Sequence, residues 1–174
     1  PGGKLPVTWP KTDAQLPVWN DDFTDDYGCG YRWFDQTGQT PLFAFGTGLS
    51  YTTFAYSNLR IAPASIAPGQ SLDVTCAVTN TGPRAGDEVA QLYLTDSSAS
   101  VLMPVKQLKG FKRVSLNPGA STDVTIHLTP EEMSYYDDIT SRFTIDPGQF
   151  IVKVGGASDQ LPLRGSFTVN TGAP

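Results

Sequence analysis

Apolar and polar residues alternate repeatedly in the last two-thirds of the chain, and this pattern predicts β-strands. Between Leu72 and Val78 every second residue is apolar, and the residues between them are mostly polar. Val124–Leu128 and Phe150–Val154 follow the same two-residue period, and Phe167 and Val169 close the series. This period is typical of strands with one buried face. Val89–Leu94 is apolar at nearly every position, which predicts a central strand.

Proline and glycine separate these strand-like runs. Pro-Gly pairs occur at 68–69, 118–119 and 147–148, and Asn80-Thr81-Gly82-Pro83 adds a fourth turn. Proline presets φ and glycine accepts positive φ, so each pair favours a turn. About seven strands joined by turns indicate a mainly β, immunoglobulin-like sandwich. The one helical turn expected in it covers Pro130–Tyr136, with Thr129 as its cap and Glu132 completing a capping box.

The strand period also predicts which side chains form the core. The expected core is Leu72, Val74, Cys76, Val78, Leu92, Val124, Ile126, Leu128, Phe150, Val152 and Val154. Five aromatics fall in apolar strand phases, so no exposed aromatic row is expected: Tyr93, Phe111, Phe143, Phe150 and Phe167. His127, the single histidine, falls on the outward phase. A general base is conceivable there, but an exposed strand residue is the favoured interpretation.

The first fifty residues have a different character. They contain all three tryptophans and an acidic run, Asp21–Asp26. They offer two strand-like pieces, Leu5–Thr8 and Gly28–Phe34. This is too little regular structure to bury the aromatics internally, so the segment is expected to need a larger partner in order to be ordered.

Composition excludes several classes of function. The 174 residues carry a net charge of −5, which argues against a nucleic-acid partner. The basic cluster Lys106, Lys109, Lys112 and Arg113 is interpreted as solvated. No apolar run is long enough to span a membrane, so no membrane partner is expected. Two cysteines do not make a disulfide framework, and no metal-ligand spacing or phosphate loop occurs, so neither a metal nor another cofactor is expected.

Five stretches carry a resemblance to a known family. They are Pro1–Pro10 (PGGKLPVTWP), Gly30–Asp35 (GYRWFD), Pro41–Phe54 (PLFAFGTGLSYTTF), Gly86–Leu94 (GDEVAQLYL) and Pro104–Val114 (PVKQLKGFKRV). In order and spacing they resemble the C-terminal region of family 3 glycoside hydrolases, the β-glucosidases and β-xylosidases. Ala44 and Thr47 depart from that family's pattern, as do Cys29 and the pair Asp25-Asp26, which leaves the exact sugar undefined.

The resemblance implies a domain organisation and a function. Residues 1–50 would be the end of an α/β sandwich domain, and 51–174 a fibronectin type III-like domain. The chain, which starts inside a motif, would be the C-terminal part of a secreted or periplasmic β-glycosidase. Among the family's activities, a β-glucosidase is the best match. In the family an upstream barrel carries the aspartate nucleophile and the α/β domain the glutamate acid/base of a retaining mechanism. No Ser-Asp-Trp occurs here, so no catalytic residue is assigned, substrate-binding residues stay undefined, and the chain alone is expected to be inactive. The upstream remainder of the same enzyme would be its partner and would bind the β-glucoside or oligosaccharide substrate.

Other interpretations stay open at this stage. The chain could instead be a carbohydrate-binding module that works by surface aromatics, or a purely structural sandwich. Asp21, Asp22, Asp25 and Asp26 could supply paired carboxylates, although a solvated loop explains them better.

The aromatic and charged candidates have two interpretations each. Trp9, Trp19 and Trp33 could stack on sugars or be buried against another domain. Arg32 and Asp35 suggest a structural salt bridge. The pair Tyr135–Tyr136 suggests a corner tyrosine bonded to backbone, and Asp137 and Asp138 suggest a turn.

Overall fold

The computed structural model describes residues 1–17 and 28–171, and within them two β-sheets pack face to face. The strands are β1 (Phe54–Ala62), β2 (Ser65–Ile66), β3 (Leu72–Asn80), β4 (Gly86–Asp96), β5 (Gln107–Leu116), β6 (Ser121–Leu128), β7 (Tyr135–Asp137), β8 (Arg142–Thr144), β9 (Gly148–Gly155) and β10 (Leu163–Val169). One sheet has the order β1-β3-β6 and the other β2-β10-β9-β4-β5. A separate hairpin joins β7 to β8. The predicted mainly β sandwich is confirmed.

The core between the sheets is the one that the strand period predicts. All eleven predicted core residues are buried in a single cluster. Phe150 and Phe167, partners on neighbouring strands, stack with ring centroids 5.2 Å apart. β4 lies between β9 and β5, as its continuous apolar sequence predicts.

The helical turn predicted over Pro130–Tyr136 is confirmed only in its first part, because Tyr135 and Tyr136 pair with β8 as residues of β7. Residues Pro130–Met133 form a short helix, α2, and the Glu132 carboxylate accepts hydrogen bonds from the backbone N–H and hydroxyl of Thr129. Gly69 and Gly119 follow Pro68 and Pro118 in two of the predicted turns. Their φ values of +84° and +74° explain why glycine occupies these positions. Among the described residues, no helix is long and apolar enough to cross a bilayer.

The strand predicted at Gly28–Phe34 is wrong. Gly30–Thr37 is instead an α-helix, α1, and Gly38 ends it in the left-handed region with φ +65°. Tyr31 and Phe34 are three residues apart and lie on the same helical face. The aromatic residues favour a strand by their local propensity. Burial of this helical face against the sandwich outweighs that propensity and stabilises a helix.

Leu5–Thr8 is not a regular strand either. Leu5 exchanges backbone hydrogen bonds with Gly46 and Thr47, and Trp9 does so with Leu42 and Phe43. Pro6 interrupts the ladder between these two points because proline has no N–H to donate. The stretch from Leu5 to Trp9 is therefore hydrogen-bonded to residues 42–47 at two points, without forming a continuous strand.

Two of the five aromatics expected inside are exposed. Phe111 lies on the outer face of β5, after a bulge that pairs Leu92 with Gly110 and Tyr93 with Leu108. The extra residue reverses the strand phase, so that Gly110 rather than Phe111 faces Ile126 in the core. Phe143 lies on the β7–β8 hairpin, which belongs to neither sheet.

Candidate functional site

The outer face of the five-stranded sheet is covered by the first fifty residues. Tyr93 is fully buried but points away from the sandwich core. Its ring packs edge-on against Tyr31 of α1, with centroids 5.7 Å apart, and Tyr31 in turn contacts Phe45. β4 is therefore apolar on both faces because both faces are covered. We use the name seam for the polar residues that join the first fifty residues to the sandwich, together with the sandwich residues bonded to them: Lys4, Tyr31, Asp35, Gly46, Tyr56, Glu88, Gln91, Lys106 and Gly156.

Glu88 is the centre of one half of the seam. Its side chain is 8% exposed, and its carboxylate accepts hydrogen bonds from Lys4 Nζ at 3.0 and 3.3 Å and from the Tyr56 hydroxyl at 2.8 Å. Lys4 Nζ also donates to the Gly156 carbonyl at 3.2 Å. Burial, and then the Glu88 charge, raise the pKa of Tyr56 far above its ordinary value. Tyr56 thus stays protonated and donates a hydrogen bond to Glu88.

Lys106 and Asp35 form the other half of the seam. Lys106 is buried, pairs with the Asp35 carboxylate, and lies 5.9 Å from the ring centroids of both Tyr31 and Tyr93. The Tyr31 hydroxyl accepts a hydrogen bond from the Leu108 N–H at 2.9 Å. The solvated interpretation of this cluster is therefore wrong for Lys106. Its neighbour Lys109 is also partly desolvated, and burial lowers its pKa.

The Arg32–Asp35 salt bridge expected from the sequence is replaced by this contact. Asp35 points from α1 towards the sandwich and pairs with Lys106, whereas the Arg32 guanidinium lies 6.0 Å from the Tyr31 ring centroid. Both residues keep a structural role, but with different partners.

Gln91 connects the two halves through hydrogen bonds. Its amide nitrogen donates to the carbonyls of Gly156 at 2.7 Å and Gly46 at 3.4 Å, and its oxygen accepts from the Tyr93 hydroxyl at 2.7 Å. Gly46 has φ +80°, and a Cβ there would lie 2.4 Å from the Gln91 amide. Glycine is therefore required at position 46 for backbone conformation and for space.

A cavity of about 660 Å³ opens beside Glu88. Lys4, Tyr56, Phe54 and Thr52 also line it, and Glu88 is the one acidic residue that the described part of the chain contributes to this lining. Glycoside hydrolysis requires two carboxylates facing the same bond. The Lys4–Glu88 pair joins the first fifty residues to β4, and one carboxylate faces the cavity among the described residues.

The remaining predicted site residues are dispersed. Asp21, Asp22, Asp25, Asp26 and Trp19 lie outside the described residues. His127 is exposed as predicted, with Nδ1 2.7 Å from Asp73 Oδ1. Trp33 is partly buried and donates its indole N–H to the Gln15 carbonyl at 2.8 Å.

The two tyrosines before β8 differ from expectation. The Tyr135 hydroxyl contacts Ser100 Oγ at 2.9 Å and the Asp146 carboxylate at 3.2 Å, both side chains, so the prediction of a bond to backbone is wrong. Tyr136 is 52% exposed. Asp137, the last residue of β7, accepts hydrogen bonds from the Ile139 N–H and the Thr140 hydroxyl, so it borders the predicted turn, and Asp138 lies within that turn.

The first fifty residues also present a large apolar surface to solvent. A groove of about 550 Å³ is lined mainly by apolar side chains, with Leu5, Trp9, Phe43 and Leu49 among them. Trp9 is 55% exposed and Leu49 82%. We call these four residues the apolar groove. Exposed apolar surface of this kind marks a contact site in soluble proteins.

Comparison with known proteins identifies the family. Residues 88–158 match the family described as the fibronectin type III-like domain. The chain is 36% identical over 97% of its length to beta-glucosidase BoGH3A of Bacteroides ovatus, covering 24% of that protein. It is 40% identical over 94% of its length to a beta-xylosidase of Formosa agariphila, covering 22% of it.

Solved structures agree with the sequence relatives. The beta-D-glucoside glucohydrolase of Trichoderma reesei superposes with a TM-score of 0.89 at 33% identity, over 97% of this chain and 27% of that one. The chain belongs to the C-terminal region of the family 3 glycoside hydrolases. This family 3 region spans about a quarter of the length of the curated relatives that it matches.

The family 3 assignment leaves the position of the domain boundary as a prediction. The matched fibronectin type III-like residues, 88–158, lie within the sandwich, and the predicted division at residue 50 falls outside them. The seam was missed by sequence reasoning. Its one signal was the presence of Gln91 within the otherwise apolar run Val89–Leu94, with Glu88 directly before that run.

Proposed function

We propose that this chain is the non-catalytic, C-terminal part of a family 3 β-glucosidase, and that it stabilises and completes that enzyme. The observation that carries the proposal is the apolar groove on the first fifty residues, together with relatives about four times the length of this chain. The full enzyme would remove terminal β-D-glucosyl residues with retention of configuration.

The chemistry of the described residues supports a non-catalytic role. A retaining glycosidase needs a nucleophilic carboxylate and an acid/base carboxylate about 5 to 5.5 Å apart. Glu88, beside the cavity of about 660 Å³, is held by Lys4 and Tyr56, so its hydrogen-bonding capacity serves the seam. Catalysis is therefore assigned to the upstream barrel and α/β parts, which also bind the sugar.

The apolar groove supports the choice of partner. Trp9 and Phe43 are bridged to each other through their backbones and present their side chains to solvent. An aromatic side chain can bury about 150–250 Å², so this surface gains stability when another part of the enzyme covers it. That part is the upstream remainder of the same enzyme.

A chimera tests this proposal. The chain replaces the corresponding quarter of the Acetivibrio thermocellus relative, which is 36% identical to it, and hydrolysis of an aryl β-glucoside is measured. We expect an active chimera and no turnover by the chain alone. Trp9→Ser with Phe43→Ser should abolish activity or cause aggregation, whereas Leu102→Ser, at a 78% exposed site on the sandwich, should not. Turnover by the chain alone would contradict the proposal.

Two finer parts of the proposal have their own tests. Retention predicts that the β-anomer of glucose is the first product seen by NMR in the active chimera. Location outside the cytoplasm, secreted or periplasmic, rests on the family resemblance and is tested by fractionation of the source cells.

A further inference from the structure

The β7–β8 hairpin stands outside both sheets but has a fixed shape. At its base the Tyr135 hydroxyl contacts Asp146 and Ser100, and Ser100 N–H donates to Asp146 at 2.7 Å. At its tip Asp137 accepts hydrogen bonds from Ile139 and Thr140. These contacts preorganise the hairpin without a core of its own.

The opposite face of the hairpin exposes two aromatic rings. Tyr136 and Phe143 are direct cross-strand partners, with ring centroids 5.4 Å apart and planes at 74°. They are 52% and 70% exposed. Because successive side chains alternate across a strand, this pair faces away from the side that anchors Tyr135. The hairpin thus presents an aromatic pair to solvent from a rigid base.

A cleft of about 500 Å³ adjoins Phe143. Its lining combines the Phe143 ring and two prolines, Pro68 and Pro130, with the polar residues Glu131 and Ser134. The volume lies in the range of small-ligand sites. Apolar walls with a carboxylate and a hydroxyl suit a ligand that has both C–H faces and hydroxyl groups.

We propose that this cleft and the Tyr136–Phe143 pair bind a β-linked gluco-oligosaccharide. The C–H face of one sugar ring would lie on the Phe143 ring, and its hydroxyls would donate to the Glu131 carboxylate and to Ser134 Oγ, which itself donates to the Glu131 carbonyl. The choice of glucose units rests on the proposed function. The site itself rests on the exposed Tyr136–Phe143 pair and the adjoining cleft.

The size of the surface favours a saccharide over a protein. With these exposures the two rings offer about 200 to 300 Å² of apolar area, whereas a stable protein interface buries about 800 Å² per partner. A chain of two or three sugar units matches the smaller surface.

Saturation-transfer NMR on the full 174-residue chain tests the site, with cellotetraose and laminaritetraose as probes. We expect transfer to the sugar C–H protons of at least one probe, and about tenfold weaker binding by titration calorimetry in Phe143→Ala. Glu131→Gln should also weaken binding. Phe111→Ala is the matched control, because Phe111 is 69% exposed on a different surface, and it should bind as the wild type does.

Three results would overturn the site. They are the absence of transfer to both probes at millimolar concentration, equal losses in Phe143→Ala and Phe111→Ala, and a Phe143→Ala chain that keeps sugar binding but loses self-association or association with the upstream polypeptide. Circular dichroism checks that each variant is folded. Since binding is measured without hydrolysis, a negative result leaves the activity of the chimera, and hence the proposed function, intact.

Discussion

Lys4 Nζ lies 3.0 Å from Glu88 Oε1, and this contact joins the first motif of the chain to β4, an inner strand of the five-stranded sheet. The two residues are 84 positions apart, and Tyr56 from a third element completes the site. The side chains are 19% and 8% exposed, so solvent screens the pair only weakly. The seam is therefore a structural connection between the two parts of the chain.

Glu88→Gln should lower the free energy of unfolding by about 2 kcal/mol or more, because it leaves the Lys4 ammonium partly buried without its counter-charge. Urea unfolding measures the change. Asp123→Asn is the matched control, since the Arg60–Asp123 pair is more than half exposed on both sides, and it should cost under about 1 kcal/mol. Equal effects in the two variants would show that the seam pair is solvated.

Phe150→Ala should cost about 3 to 5 kcal/mol, from lost transfer energy and the cavity left behind. Phe150 is fully buried and stacked on Phe167. Thermal unfolding measures the loss, and Phe111→Ala at an exposed position should leave the melting temperature nearly unchanged. An unaltered melting temperature for Phe150→Ala would contradict the core described above.

Gly46→Ala should destabilise the protein by more than Gly119→Ala does. Both glycines have positive φ, +80° and +74°, so both variants incur backbone strain of about 1 kcal/mol or more. A Cβ at position 46 would also collide with the Gln91 amide, whereas nothing lies within 4 Å at position 119. Urea unfolding of the two variants separates the destabilisation caused by steric overlap from that caused by the positive φ. Equal decreases in the free energy of unfolding would show that Gln91 moves aside freely.

Cys76 should resist thiol reagents in the folded protein, while Cys29 reacts. Cys29 is exposed and Cys76 buried. Burial raises the pKa of Cys76 to about 11, so little of it is thiolate at pH 8 even where reagent can reach it. Titration with a chromogenic disulfide at pH 8 should count one thiol in the native chain and two in urea. In Cys29→Ser the native count should be zero, and any rapid reaction there would contradict the burial of Cys76.

The sandwich core could be predicted because a half-buried strand repeats every two residues. Leu72–Val78 and Val124–Leu128 show this period, and their structure follows it. The capping box at Thr129 and Glu132 was equally accessible, since both partners lie within four residues of each other. Features formed by residues close together in the sequence can therefore be predicted from the spacing of those residues.

The period fails where the backbone shifts or where an element leaves the sheet. The bulge at Lys109 and Gly110 turned Phe111 outward, and the hairpin position of Phe143 removed it from both sheets. Neither the bulge nor the hairpin changes the pattern of apolar residues in the sequence, and the prediction relied on that pattern alone. The helix at Gly30–Thr37 was missed for a related reason, because its aromatic residues favour a strand until their burial is known.

The sequence by itself determined the sandwich, its core, its turns and the family resemblance, because each depends on residues close together along the chain. The tertiary structure alone decided the seam. Lys4 and Glu88, or Asp35 and Lys106, are 84 and 71 positions apart, and each is an ordinary surface charge until folding brings it to its partner. Burial then makes the pairing obligatory, because a charge removed from water without a partner is costly.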